Sequence, residues 1–139
     1  MSRLGALYLT KHTGPKHTAT VIVFHGSGGF SMGGALSFHI GYRWVKDLAG
    51  VFAFSSFLNE KSIVYEELKG SQFKGPPLFQ VHGDSDMMVD LSWGHYTHDT
   101  LTSHGVQGEF HVLQKLGHSL NKRGMNMIKD WIDKILPDE

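Results

Sequence analysis

"VIVFHGSGGFSMGG", residues 21–34, holds two catalytic-looking motifs in immediate succession. The β-branched run Thr18 to Phe24 reads as a buried strand. After it, Gly29-Phe30-Ser31-Met32-Gly33 fits G-x-S-x-G, the pattern that presents a serine hydroxyl on a sharp strand-to-helix turn. Between the two, His25-Gly26-Ser27-Gly28 has the form of an HG-type loop that elsewhere supplies an oxyanion-hole amide. Such loops follow different strands, and a crossover between parallel neighbours takes roughly a dozen residues or more. Here Gly28 is joined directly to Gly29. One strand end cannot stand in both places. Thr18–Phe24 is expected to take one sheet position and leave the other vacant, with residues 26–30 bridging into the turn. Two oxyanion donors are candidates, the backbone amides of Met32 and Ser27. The Ser27 amide is expected to fall short of the oxyanion position.

Outward from this stretch, the chain alternates strand and helix patterns. Leu4 to Thr10 reads as an additional strand. Met32, Leu36, Ile40 and Trp44 recur every four residues and predict one helix face, weakened by Gly41. Val51–Phe54 is a buried strand, residues 61–69 a short helix, and Leu78–His82 a strand opened by Pro76-Pro77. A helix from Leu91 to Ser103 is capped at Gly105, and Phe110–Leu113 is the next strand. The last helix turns Leu120, Met127, Ile128, Trp131 and Ile135 inward, with Pro137 beyond its end. Two strands followed by helix–strand units predict an α/β fold with a mostly parallel sheet and helices on both faces. Ligands in such sheets gather at the carboxyl ends of the strands.

The composition narrows the classes. The 139 residues make one domain, 1–139, with 40% apolar and 19% charged residues, which predicts a packed globule rather than disorder. Thirteen basic and thirteen acidic side chains cancel and no basic stripe appears, so nucleic acid is not an expected partner. There is no cysteine, hence neither disulfide framework nor thiol chemistry. No apolar run suits a signal peptide or a membrane span, and a cytoplasmic location is expected. His95 and His98 with Asp99 lack H-E-x-x-H and a third ligand, so neither metal nor cofactor is expected. The glycine-rich stretch lacks the Gly-Lys-Ser/Thr ending of a phosphate loop. Met87 and Met88, with Phe57 and Trp93, read as core or pocket wall.

A serine hydroxyl is a poor nucleophile unless a base takes its proton and a third group orients that base. Ser31 has the turn for it. The acid should follow a later strand, and "FQVHGDSDMMV" offers Asp84 and Asp86 just past His82. The base should come last, and "VLQKLGHSLN" places His118 after the next strand. Ser31, an aspartate and His118 thus stand in the chain order Ser–Asp–His.

"HGSG", "GFSMGGALS", "LAGVFAFSSFLN", "LFQVHGDSDMMV" and "LGHS" resemble the acyl-protein thioesterase and lysophospholipase-like family of α/β-hydrolases. Met32 and "AGVFAFSSFLN" look closer to its lysophospholipase-like protein 1 branch. The resemblance implies Ser31 as nucleophile, Asp86 as the triad acid, His118 as base and Asp84 as a turn residue. It also implies hydrolysis of acyl thioesters and esters without a cofactor, on acylated proteins or small acyl esters. The departure from the family lies between the HG loop and the serine motif, where complete members carry a long segment. An internally shortened hydrolase is therefore expected, either a working esterase or a catalytically weak chain acting as a binding protein. An uncovered sheet edge would favour a homodimer.

Overall fold

The computed structural model describes residues 29–70 and 72–136. The strands expected over Leu4–Thr10 and Thr18–Phe24, the His25–Gly28 loop with Ser27, and Pro137 lie outside the described residues. The elements in chain order are α1 (Met32–His39), a π-helical turn (Ile40–Trp44), β1 (Val51–Phe54), α2 (Ile63–Leu68), β2 (Leu78–Gly83), α3 (Leu91–Ser103), β3 (Gly108–Leu113) and α4 (Lys122–Ile135).

The three strands form a parallel sheet in the order β1-β2-β3. Val51 pairs with Leu78, and Leu78 with Gly108. Phe30 forms a parallel bridge to Phe54, so the residues entering the serine turn run alongside β1. Each connection between neighbouring parallel strands carries a helix, as a crossover requires.

Alternation along the strands creates two cores. Val51, Ala53 and Leu78 turn to one face, where Phe38, Tyr42, Val64, Leu68 and Leu101 cover them from α1, the π turn, α2 and α3. Phe54, Phe79, Val81 and Leu113 turn to the other, against Ile128 and Trp131 of α4. Helices therefore lie on both faces of the sheet. Trp131 stacks on Phe79 at 5.2 Å between ring centroids and is nearly buried. Trp131→Ala should destabilise the fold by about 3–5 kcal/mol. Denaturant melts would show it; a loss below about 1 kcal/mol would mean that α4 contributes little to the core.

Local signals set the helix ends. Asp90 Oδ1 accepts from the Ser92 amide at 2.8 Å and starts α3. At its far end, Gly105 adopts φ +97° and donates to Thr102 O, while Val106 donates to Leu101 O, a Schellman closure. Asn121 Oδ1 accepts from the Gly124 amide at 2.8 Å and starts α4. Leu120 thus precedes the helix and is exposed, contrary to the inward position expected for it. β3 begins at Gly108, two residues earlier than the sequence pattern suggests.

The larger departure is in α1. Met32, Leu36 and Trp44, on the apolar face that the spacing predicts, are 84%, 41% and 60% exposed. The inward face is Gly34, Phe38 and Tyr42 instead. Gly34 decides this, because a Cβ there would sit 2.5 Å from the Ser56 Cβ. Close approach of backbone to backbone turns the small-residue face of the helix inward, and the four-residue apolar stripe is left outside.

Candidate active site

The serine turn is built by hydrogen bonds to β1. Ser31 N donates to Phe54 O at 2.9 Å, and Phe54 N donates to Gly29 O at 2.7 Å. Gly29 has φ +82°, and a Cβ on it would meet the Phe52 ring at 2.7 Å. Ser31 itself has φ 53° and ψ −119°, a strained conformation for a residue with a Cβ. It occupies the N-cap position of α1 without capping it, and its hydroxyl has no hydrogen-bond partner among the described residues.

Ser56 holds the turn from beneath. Its Oγ donates to the Ser31 carbonyl at 2.6 Å. The neighbouring Ser55 is buried with φ 50°, and its amide donates to Val81 O at 2.8 Å. Sequence reasoning misses Ser56, since "FSSF" carries no signal until β1 is placed beside residue 30. Around the turn the amides divide. Gly33 donates to Phe30 O and Gly34 to Ser31 O, whereas the Met32 amide has no acceptor among the described residues. It sits at the amino end of α1, where the helix dipole favours negative charge.

His118 Nδ1 donates to Asp86 Oδ2 at 2.8 Å. Asp86 Oδ1 accepts from the amides of Met88, at 2.9 Å, and Val89, at 2.8 Å. Burial pushes the Asp86 carboxyl up, but those two amides and His118 outweigh it and hold it below the usual carboxylate value. The His118 ring also lies 4.6 Å from the Phe30 ring, next to the serine turn. With Nδ1 carrying the proton, Nε2 is the basic nitrogen. Asp84 is elsewhere engaged. Its Oδ1 accepts from the Lys115 amide at 2.7 Å and from Ser85 Oγ, fastening the turn after β3.

A cleft of about 460 Å³ opens beside Ser31, with Met32, Ala35, Phe57, Leu58 and Ile63 as its apolar wall and His39, Asn59, Lys61 and Ser62 as its polar one. Phe57 lines it as expected of a pocket wall and packs against Trp93 at 4.9 Å. Met87 and Met88 do not belong to the core and do not line this cleft. They are 94% and 72% exposed, because the turn that gives its amides to Asp86 points their side chains outward. Among the described residues no group of three or more His, Cys, Asp or Glu is placed to hold a metal. His95 stacks on Phe110 at 4.2 Å, and His98 meets the same ring edge-on at 5.5 Å. No helix among the described residues is long and apolar enough to cross a membrane.

The sequence pattern of the phospholipase/carboxylesterase family matches residues 27–136. The chain belongs to this family. It is 46% identical over 112 residues to lysophospholipase-like protein 1 of Mus musculus, covering 81% of this chain and 47% of that protein. It is 36% identical over 111 residues to acyl-protein thioesterase 1 homolog 1 of Dictyostelium discoideum, covering 79% and 48%. The crystal structure of Arabidopsis thaliana SOBER1 superposes with a TM-score of 0.68 at 28% identity, over 76% of this chain and 50% of that one. The fold is that of the α/β-hydrolases. The chain spans about half the length of the relatives it matches.

Three histidines, His82 buried and His39 and His98 partly so, make the fold acid-sensitive. Burial holds His82 and His98 below the ordinary value of 6.5, and burial together with Arg43 does so for His39. The unfolded chain then binds more protons than the native one below that value, so stability rises with pH. Asp86 adds a second loss only below 3.8, its ordinary value. The melting temperature should therefore fall between about pH 7.5 and about pH 5.5, before carboxylates titrate. A flat or rising melting temperature on acidification, followed by circular dichroism, would contradict this.

Proposed function

We propose that this chain is a serine hydrolase that cleaves acyl thioesters or esters in the cytoplasm, of the kind that removes fatty acyl groups from proteins. The observation that carries the reading is the 2.8 Å bond from His118 Nδ1 to Asp86 Oδ2, formed beside a strained, uncapped Ser31. Ser31 Oγ attacks the acyl carbon as its proton passes to His118 Nε2. Asp86 keeps the imidazole in the required tautomer and stabilises the imidazolium. The Met32 amide donates to the oxyanion. His118 then protonates the leaving thiolate or alkoxide as the tetrahedral species collapses to an acyl-enzyme. Water, deprotonated by His118, attacks the acyl carbon; carboxylate is released and Ser31 regains its proton. The cleft walled by Met32, Phe57 and Ile63 suits the apolar acyl chain.

A slow enzyme is the expected form of this activity. The Met32 amide is one donor, and loss of a second typically costs about 100- to 1000-fold in turnover. Exposure of Met32, Leu36 and Trp44 agrees with a chain that lacks part of the family's covering. Hydrolysis of a short-chain nitrophenyl ester should run at least about 100-fold below a full-length relative, while a fluorophosphonate probe still labels the protein. Absence of labelling would sink the hydrolase reading and leave a binding role. A full-length rate would refute the loss of a donor.

A further inference from the structure

We propose that His82 is a positioning residue for the Asp86–His118 pair: it fixes the turn from Asp86 to Val89 so that carboxylate Oδ2 faces His118, and takes no proton itself. The inference rests on the roles given to Asp86 and His118 above. His82 lies near the end of β2 and is 1% exposed. Its Nε2–H donates to the Val89 carbonyl at 2.8 Å. The Val89 amide in turn donates to Asp86 Oδ1 at 2.8 Å, so a continuous run of bonds links the His82 ring to the carboxylate.

The same His82 Nε2 lies 3.7 Å from Asp86 Oδ2, the oxygen bonded to His118 at 2.8 Å. Two imidazoles therefore flank one carboxylate oxygen. They are not equivalent, since the His118 side chain is 13% exposed and that of His82 1%. The titratable and charged groups near His82 are Asp86, His118 and His95, with Asp90 at the start of α3. Burial lowers the basicity of His82 more than the Val89 carbonyl and Asp86 restore it. A neutral ring offers the turn an N–H donor without a second cation, and the carboxylate charge is left for His118.

α3 sets the other side of the ring. A Cβ on Gly94 would lie 2.6 Å from His82 Nδ1. Gly94 thus makes the room in which the imidazole sits, in a helix whose intrinsic preference is for alanine. Replacing it with Ala displaces His82 without touching Asp86 or His118.

The test is a proton NMR titration of His118, assigned by the signal lost in His118→Gln, in the full chain and in His82→Gln, His82→Leu and Gly94→Ala. It needs no turnover. His82→Gln retains an N–H donor and should keep the far-downfield Nδ1 proton of His118. His82→Leu and Gly94→Ala should lose that proton, and His118 should bind its titrating proton about tenfold more weakly, because the imidazolium loses a fixed counter-charge. If His82→Leu does not fold, Gly94→Ala decides. Folded variants with wild-type His118 titration would overturn the proposal, even if a fluorophosphonate labels Ser31. A His118 that responds in a protein whose Ser31 cannot be labelled would uphold the positioning role and refute the hydrolase reading.

Discussion

Ser31→Ala should abolish covalent labelling by a fluorophosphonate and reduce ester hydrolysis to background, with the melting temperature unchanged. The chemical effect is total because the acyl-enzyme needs an oxygen nucleophile at this position, and triads that lose their serine fall by roughly 10⁶-fold. The structural effect is small because the hydroxyl caps nothing and bonds to nothing among the described residues. Alanine meets the same backbone strain at φ 53° that serine does. Ser27→Ala is the control, since only the backbone amide is a candidate there. Equal losses in both variants would mean that folding, not chemistry, had been damaged.

Asp86→Asn should cost about 10⁴-fold in turnover, or in labelling rate where turnover is too slow to read. Asp86 Oδ1 accepts from two backbone amides, so an asparagine must keep its oxygen there. Its amide nitrogen then faces His118 and donates to Nδ1. The imidazole is driven to the tautomer with the proton on Nε2, which cannot accept a proton from Ser31. Asp84→Asn should stay within a few-fold of the parent, because Oδ1 still accepts from the Lys115 amide. The reverse ranking would transfer the role of acid to Asp84.

Much of the architecture is legible in the residue pattern alone. Val51–Phe54 and Leu91–Ser103 have the bounds that the pattern predicts, since Gly50 precedes the short apolar run and Asp90 and Gly105 bracket the helix. The inward face of α1 is not legible in this way. Both Met32-Leu36-Ile40-Trp44 and Gly34-Phe38-Tyr42 repeat at helical spacing, and hydrophobicity favours the first. The sheet chooses the second, because only glycine at position 34 lets the helix approach Ser56. Met87 and Met88 are kept out of the core for a related reason: their apolar side chains suit core or pocket wall, while the turn that serves Asp86 aims them at solvent.

By itself the sequence determined the order of strands and helices from α1 to α4, and the placing of Asp86 and His118 in the loops after β2 and β3. These follow from local propensity, spacing and chain length, which need no partner in space. Tertiary structure alone decided which aspartate meets His118, across a separation of 32 residues. It decided that Ser56 supports the serine turn from 25 residues away, and that His82 closes the Asp86 turn through the Val89 carbonyl. The first two are hydrogen bonds whose geometry exists only after parallel strands bring their carboxyl ends together, and the third needs the loop after β2 folded back on its own strand, which no local pattern encodes.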